Sequence, residues 1–384
     1  MLKDRWAVRA SVLRHADGVV KCGARADAGN WRPAESRPQI AQTLLACFEQ
    51  LSTALTPFSA HICSSTITIE ERDWCITIAD SEPEVRAERA LIARVVVDGP
   101  QSRVPVIWQA AGSSLPLDKF AVDVERGIAA EVRASLESSF MNEPRSCPVI
   151  LDPWLASQLV HECIGHTSEA DNFLDYALPR GYALGYRWCE LALDVFDDPT
   201  LPDHRGSYAR DHEGAPSRRT QLVRDGVWSS LLHNRQTQFQ TGAAHRGNGR
   251  RVPGASATLP RMSVTFACAG ASAAQPLSAL IAQIEEGLYC VGTWGGWSSG
   301  PQFSIRPSYA RRIRNGQLTN EFVRRFDLVG DKFATLAGLA GIGDQLEFFD
   351  PAFGCDKFGQ DGLPITLGSS HLFLRSMNLR PILR

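Results

Sequence analysis

The chain has 384 residues, of which 44% are apolar, and its 40 basic and 42 acidic side chains leave a net charge of −2. This length exceeds what one hydrophobic core commonly serves, so we expect more than one domain. The near balance of charge excludes an overall field that attracts nucleic acid or an anionic membrane, and we expect neither as a partner. No apolar run reaches the roughly 18 residues that span a bilayer, and the chain starts with charges rather than an apolar signal. These features predict a cytoplasmic protein.

The first part of the chain combines helix-like and strand-like segments. Residues 38–55 place apolar side chains at helical spacing, and residues 64–80 and 88–99 are rich in Ile, Val and Thr. Residues 117–140 then form a charged amphipathic stretch. We therefore predict an N-terminal α/β domain, residues 1–145, in which helices flank strands.

The second part begins with a short apolar strand, CPVILDP, that leads into a helix. Asp152 is a good N-cap and Pro153 suits the first helical turn, so a helix should start at about residue 153. Beyond residue 205, Gly and Pro recur, and the dipeptides Asp225-Gly226 and Asn315-Gly316 are typical of type I′ hairpins. We predict a C-terminal domain, residues 146–384, of mixed or antiparallel β-structure that carries this helix. The fold class is α+β.

The ten cysteines are scattered along the chain without a CxxC pair. This spacing does not suggest a disulfide scaffold. A single cysteine in a reduced chain is commonly a small buried apolar residue, so each needs a specific reason to be assigned as a ligand.

The segment LVHECIGHTSEAD, residues 159–171, contains a candidate metal site. A helical His-Glu pair followed by a second His lets two imidazoles bind one ion, and His161, Glu162 and His166 are such a set. The familiar spacing of four leaves the histidines about 40° apart around a helix, whereas the spacing of five found here leaves them about 140° apart. A π-type turn absorbs one extra residue, and Gly165 makes such a distortion easier. The spacing therefore predicts a distorted helix.

Residue spacing leaves two questions open. The two histidines could be unrelated, one buried and hydrogen-bonded and the other at a helix end. If they do bind a metal, the third ligand could be Glu169, Asp171 or a distant cysteine, whereas Cys163 points elsewhere on a helix.

Five ordered blocks over residues 150–375 resemble the TldD/PmbA family of zinc metallopeptidases. The family carries HExxGHxxExD, and His161, Glu162, Gly165, His166, Glu169 and Asp171 stand at the corresponding places. The other four blocks are DHEGAPSRRTQLVRDGVW, GNGRR with the later PRMSVTFACAG, GLYCVGTWGGWSSGPQFSI and GCDKFGQDGLPITLG.

The resemblance implies a ligand set and a reaction. The family's cysteine ligand lies in a C-terminal block that CDKFGQ matches. By this resemblance, His161, His166 and Cys355 would hold Zn²⁺. Glu162 would be the general base and then the proton donor to the leaving amine. The implied enzyme is a metallopeptidase that hydrolyses peptide bonds of unfolded or small peptides by metal-activated water. Glu169 and Asp171 would lie outside the ligand set as supporting residues.

Several positions depart from the family pattern. Asp356 replaces a glycine beside the cysteine, Thr167 and Ser168 differ from the usual pair, and Pro301-Gln302 replaces an acidic residue. None of these changes removes a ligand or the base. The N-terminal region is also shorter than is usual for the family and resembles it weakly.

The glycine-rich segment TWGGWSSG, residues 293–300, could bind an extended peptide through Gly295, Gly296 and Trp297, or form a tight structural turn. Arg250 could bind a peptide carboxylate, or could instead be an arginine that stabilises the fold.

Two other functions are compatible with the sequence. The chain could be a biosynthetic amide hydrolase that trims one peptide-like natural product, or a non-catalytic subunit of a TldD/PmbA-type complex. The family implies a dimer, either a homodimer or a heterodimer with a PmbA/TldE-like sister subunit.

Overall fold

A computed structural model describes residues 5–15, 20–25, 37–76, 84–99, 103–245, 247–252, 254–270 and 274–382. The chain forms two compact units. The first comprises Met1–Glu137, Val252–Ser256 and Asp350–Pro364, and the second comprises Ser138–Arg251, Ala257–Phe349 and Ile365–Arg384. Among the described residues, no helix has both the length and the apolar character needed to span a membrane.

The described α-helices are mostly short. In chain order they are α1 (Arg37–Ala54), α2 (Leu117–Asp123), α3 (Ala130–Glu137), α4 (Pro153–Val160), α5 (His166–Ser168), α6 (Ala170–Asn172), α7 (Arg235–Thr241), α8 (Leu277–Ala282) and α9 (Lys332–Ala337). Segments of π-helix lie at Val124–Ala129, His161–Gly165 and Phe173–Ala177. Two 3₁₀ turns lie at Thr56–His61 and Leu178–Arg180.

Strands dominate both units. Those before residue 200 are β1 (Arg5–His15), β2 (Val20–Arg25), β3 (Ile62–Ile76), β4 (Glu84–Asp98), β5 (Arg103–Gly112), β6 (Ser139–Phe140), β7 (Arg145–Leu151) and β8 (Leu193–Asp197). The next are β9 (Thr220–Arg224), β10 (Val227–Trp228), β11 (Gly249–Arg250), β12 (Leu259–Pro260), β13 (Val264–Ala269), β14 (Ala274–Gln275), β15 (Glu286–Val291), β16 (Gly296–Ser299) and β17 (Gln302–Ile305). The last are β18 (Tyr309–Arg314), β19 (Gln317–Arg324), β20 (Phe326–Asp331), β21 (Leu339–Gly343), β22 (Glu347–Phe349), β23 (Cys355–Lys357), β24 (Gln360–Leu363), β25 (Thr366–Ser369) and β26 (Leu372–Pro381).

The first unit is an antiparallel sheet covered by helices. Its strand order is β2-β1-β3-β4-β5, and every neighbouring pair is antiparallel. Apolar side chains of α1 and of the α2–α3 stretch pack on β3, β4 and β5, as their periodicity predicts. This core includes Leu44, Leu51, Ile67, Leu91, Val95, Phe120 and Val132. The short strands β23 and β24 form a separate hairpin of this unit.

The second unit contains a six-stranded and an eleven-stranded sheet. The order of the first is β10-β9-β8-β13-β25-β22, and β7 lies inside the second between β26 and β15. β13 runs parallel to β25 and β7 runs parallel to β15, whereas most other pairs are antiparallel. The sheets are therefore mixed, in an α+β fold. Helix α4 contacts β25 of one sheet and β7 and β15 of the other, so the helix that leads into the candidate site is buried.

The two predicted hairpins are present. Asp225 and Gly226 have φ of 48° and 75°, and Asn315 and Gly316 have φ of 49° and 71°. Positive φ at both central residues is what a type I′ turn requires. They join β9 to β10 and β18 to β19.

Candidate metal centre

The helix that carries the motif begins where the sequence predicts. Asp152 caps α4, because its Oδ1 accepts the backbone N–H of Leu155 at 2.8 Å, and Pro153 occupies the first turn. Its Oδ2 accepts the backbone N–H of Gly292 at 2.8 Å, which ties the helix start to the glycine-rich segment. Burial raises the pKa of this carboxyl to about 7, and the two backbone hydrogen bonds oppose that rise.

A π-type turn follows α4 and brings the two histidines together. Residues His161–Gly165 form this turn, and the backbone N–H of His166 donates to the carbonyl of His161. The extra residue turns the second ring back towards the first, so the ring centroids lie 4.6 Å apart at 73°. The candidate ligand nitrogens of the two rings lie within 4.8 Å of each other. The predicted distortion is therefore present.

Position 165 requires a glycine, because the π-type turn passes close to the side chain of Met262 there. A Cβ at this glycine would overlap the Met262 sulfur. Met262 is 1% exposed, so its side chain has little room to move away. A larger residue at position 165 would therefore force the turn away from this contact.

Glu169 fixes the orientation of the second histidine, His166, by contacting its ring nitrogen Nδ1. Its Oε2 lies 2.9 Å from Nδ1 of His166 and accepts an N–H of the Asn172 side chain at 3.2 Å. Asn172 also donates to the carbonyl of His166 at 2.8 Å. Because a buried carboxylate accepts at Nδ1, the proton stays there and Nε2 keeps the lone pair that a metal needs. Glu169 is 0% exposed, so water does not compete for this bond.

Glu162 lies in the turn between the two histidines. It is buried, and its Oε1 accepts a hydrogen bond of 2.9 Å from the Gln158 side chain, one helical turn earlier. A Cβ at Gly296 of β16 would lie 3.3 Å from Cγ of Gln158. The glycine-rich segment therefore approaches the helix close to the residue that orients Glu162.

A buried lysine and a buried thiol lie against the same turn. Nζ of Lys332 lies 3.5 Å from Oγ1 of Thr167, and burial lowers the pKa of this amine. Burial also raises the pKa of Cys163 well above its usual value, so its thiol stays protonated at neutral pH. Cys163 therefore behaves as a small apolar residue.

Cys355 lies at the start of β23 and is buried. The hairpin that holds it turns at Phe358 and Gly359, which have φ of 49° and 77°. Asp356, which departs from the family pattern, has a local role: its Oδ1 accepts the backbone N–H of Gly362 at 2.6 Å. This bond closes the hairpin beside the cysteine.

The other predicted site residues have different surroundings. Trp297 is 51% exposed, and Gly295 has a φ of 99° that favours glycine. Arg250 is buried, with its Nη1 donating to the carbonyl of Met262 at 2.6 Å and its guanidinium over the Tyr208 ring. Asp171 accepts the backbone N–H of Asn172 at 2.8 Å. A role in substrate binding stays a prediction for Gly295, Gly296 and Trp297 of the glycine-rich segment and for Arg250.

Sequence reasoning missed Gln158, Arg261 and Met262. Gln158 precedes Glu162 by four residues, so helical spacing was a signal that could have identified it. Arg261 and Met262 lie about ninety residues beyond the motif and contact it only through the fold.

The donor set fits a metal ion. Nδ1 of His161 is buried and makes no hydrogen bond within the described part of the chain. An unsatisfied buried imidazole nitrogen is unfavourable unless a ligand or water occupies the space beside it. Two imidazoles with a carboxylate between them are suitable for zinc and similar transition metals.

Comparisons with known proteins match the part of the chain that carries these residues. Residues 144–379 match the family model described as PmbA/TldA metallopeptidase C-terminal domain. A protein of Synechocystis sp. named as a metalloprotease is 36% identical over 239 residues, which cover 61% of this chain and 50% of that protein. A metalloprotease TldD homolog of Haemophilus influenzae is 31% identical over 59% of this chain and 46% of its own length. The chain thus spans about half the length of these curated relatives.

Solved structures show the same fold. TldE from Thermococcus kodakarensis superposes with a TM-score of 0.70 at 14% identity, covering 99% of this chain and 96% of that one. A protein of Thermotoga maritima titled a putative modulator of a DNA gyrase gives a TM-score of 0.69 at 13% identity, covering 98% and 95%. Because the family model matches more than half of the residues of this chain, the chain belongs to the PmbA/TldD metallopeptidase family.

Proposed function

We propose that the protein is a zinc-dependent peptidase that hydrolyses peptide bonds of unfolded or small peptides. The observation that carries the proposal is the π-type turn His161–Gly165, which brings His161 and His166 together on either side of Glu162. A regular helix would separate these rings, so the distortion is the feature that a shared metal ion explains. The relatives named as metalloproteases support the same reading.

Cys355 is the proposed third ligand, through its Sγ. The support is the CDKFGQ block and the burial of the side chain. Two imidazoles and one thiolate leave a fourth position open, as a catalytic zinc site requires.

Glu162 is the proposed general base. Zinc, when bound, would polarise the scissile carbonyl and lower the pKa of a water molecule. Glu162 accepts the proton of the attacking water and then delivers it to the nitrogen of the leaving amine. Gln158 fixes the orientation of the carboxylate through its hydrogen bond to Oε1.

The edge of β16 is the proposed binding surface for the substrate. β16 ends the strand order of the eleven-stranded sheet, and only β17 pairs with it among the described strands. An extended peptide can add to such an edge through backbone hydrogen bonds, with little demand on its sequence. Gly295, Gly296 and Trp297 would then contact the peptide. We also propose that the chain pairs with a second copy or with a TldE-like sister subunit.

Zinc content and proteolysis of matched cysteine variants test this proposal. Purified without chelators, the native protein and Cys163→Ser should each hold about one zinc ion per chain, because Cys163 is not a ligand. Cys355→Ser should lose most of the zinc and, with it, cleavage of denatured casein. Full zinc retention by Cys355→Ser would contradict the ligand assignment. A native protein without bound metal would contradict the proposed function itself.

A further inference from the structure

Glu169 connects the π-type turn to the segment that contains Arg261 and Met262. While its Oε2 contacts Nδ1 of His166, its Oε1 accepts the backbone N–H of Met262 at 3.3 Å. Nε of Arg261 lies 3.9 Å from the same Oε1. One carboxylate therefore contacts the predicted metal ligand with one oxygen and a distant segment with the other.

Both charges of this pair are fully buried. Glu169 and Arg261 are each 0% exposed, and their side chains are 0% and 1% exposed. In such a site a cation or several donors must face a carboxylate to compensate for the loss of water. Arg261 places a positive charge beside Oε1, and Lys332 is a second cation whose charge interacts with Glu169.

The backbone holds Arg261 in place from both sides. The backbone N–H of Arg261 donates to the carbonyl of Asn248 at 2.9 Å. Two residues later, the backbone N–H of Ser263 donates to Oδ1 of Asp197 at 2.7 Å. Asp197 is itself 0% exposed. The arginine is thus presented to Glu169 by a fixed segment rather than by a flexible loop.

We propose that Arg261 is a positioning residue that acts through Glu169. It keeps Glu169 aimed at Nδ1 of His166, and so holds His166 in the tautomer whose Nε2 is available to the metal. This inference rests on the proposed function, in which His166 is a zinc ligand. Arg261 does not contact the metal or the substrate in this role.

The first test reads the tautomer of His166 in the metal-free protein. Two-bond ¹H–¹⁵N correlation spectra of histidine-labelled protein in a chelator should show the native His166 protonated at Nδ1, with the signal assigned through His166→Gln. Arg261→Met should shift the population towards the Nε2-protonated form. Arg324→Gln is the control, because this buried arginine donates to the carbonyl of Ser308 elsewhere in the same unit. An unchanged His166 signal in Arg261→Met would overturn the inference and leave the proposed function standing.

The second test asks whether Arg261 acts through Glu169. Zinc dissociation constants are measured by chelator competition in the native and Glu169→Gln backgrounds. In the native background Arg261→Met should weaken zinc binding roughly 10-fold, as expected for residues that orient metal ligands. In the Glu169→Gln background the same change should have almost no further effect on zinc binding. The losses of affinity do not add when two residues act through one contact. An equal loss in both backgrounds would show an independent structural role and overturn the inference.

Two further outcomes separate the inference from the proposed function. If Arg261→Met does not fold, Arg261→Gln, which removes the charge but keeps a polar side chain, replaces it in both backgrounds. If the native protein binds no zinc, the proposed function fails, while the tautomer measurement still decides whether Arg261 positions His166.

Discussion

At the residue scale, the candidate site depends on contacts that immobilise its chemical groups. Glu162 is held by Gln158, and His166 is held by Glu169. The carboxylate of each bond is buried, so the groups are oriented before any substrate arrives. Preorganisation of this kind is what a hydrolytic site needs, since mobile groups lose much of their catalytic effect.

The contact between Gly165 and Met262 leads to a prediction about stability. Gly165→Ala should destabilise the protein by about 1–3 kcal/mol, because the new methyl group overlaps the buried sulfur. Met262→Ala alone should cost about 2–5 kcal/mol through the cavity that it leaves. The double variant should lose less than the sum of the two, because the methyl group enters that cavity. Urea unfolding in a chelator measures all three free energies, and simple additivity would contradict this packing account.

At the element scale, local sequence signals predict the helix and the turns that the structure contains. Asp152 with Pro153 predicts the start of α4, and both Asp225-Gly226 and Asn315-Gly316 predict hairpins, because caps and I′ turns depend on residues close in sequence. The histidine spacing predicts the distortion of the helix for the same reason.

Features that depend on distant residues were not predictable in this way. β1 and β2 lie in a region whose periodicity is too weak to indicate strands. The parallel pairing of β7 with β15 joins segments more than 130 residues apart, and no local pattern specifies it. Arg261 reaches Glu169, which lies 92 residues earlier in the chain. Such contacts arise when two sheets form around one helix, so a single sequence gives no direct signal of them.

At the scale of the whole molecule, buried ionisable groups link stability to pH. His371 is 9% exposed, and its Nε2 lies 3.2 Å from the Tyr289 hydroxyl. Burial lowers the pKa of this imidazole from 6.5 to about 4, with Asp344 acting in the opposite direction. The folded protein therefore holds the imidazole neutral, although the unfolded chain protonates it below pH 6.5.

This difference predicts that His371 contributes a loss of stability in weak acid. For a histidine whose folded pKa is lowered, stability is fully present above pH 6.5 and falls as the pH drops towards 4, here by about 3 kcal/mol. His371→Gln should remove that part of the pH dependence of the unfolding free energy, because the glutamine amide does not titrate. His61→Gln, at an exposed site, is the control. Unfolding free energies between pH 4 and 7 measure the slopes, and equal slopes in the native protein and His371→Gln would contradict the assignment.

The most direct test of the central claim separates catalysis from metal binding. A mixed peptide library is incubated with the zinc-loaded native protein and with Glu162→Gln, and the products are identified by mass spectrometry. Glu162→Gln should keep its zinc but cleave roughly 100-fold to 10,000-fold more slowly, because the amide cannot take the proton of water. Cleavage by the native protein alone would establish Glu162 as the base of a zinc-dependent peptidase. Equal cleavage by both proteins, with zinc present in each, would contradict the account.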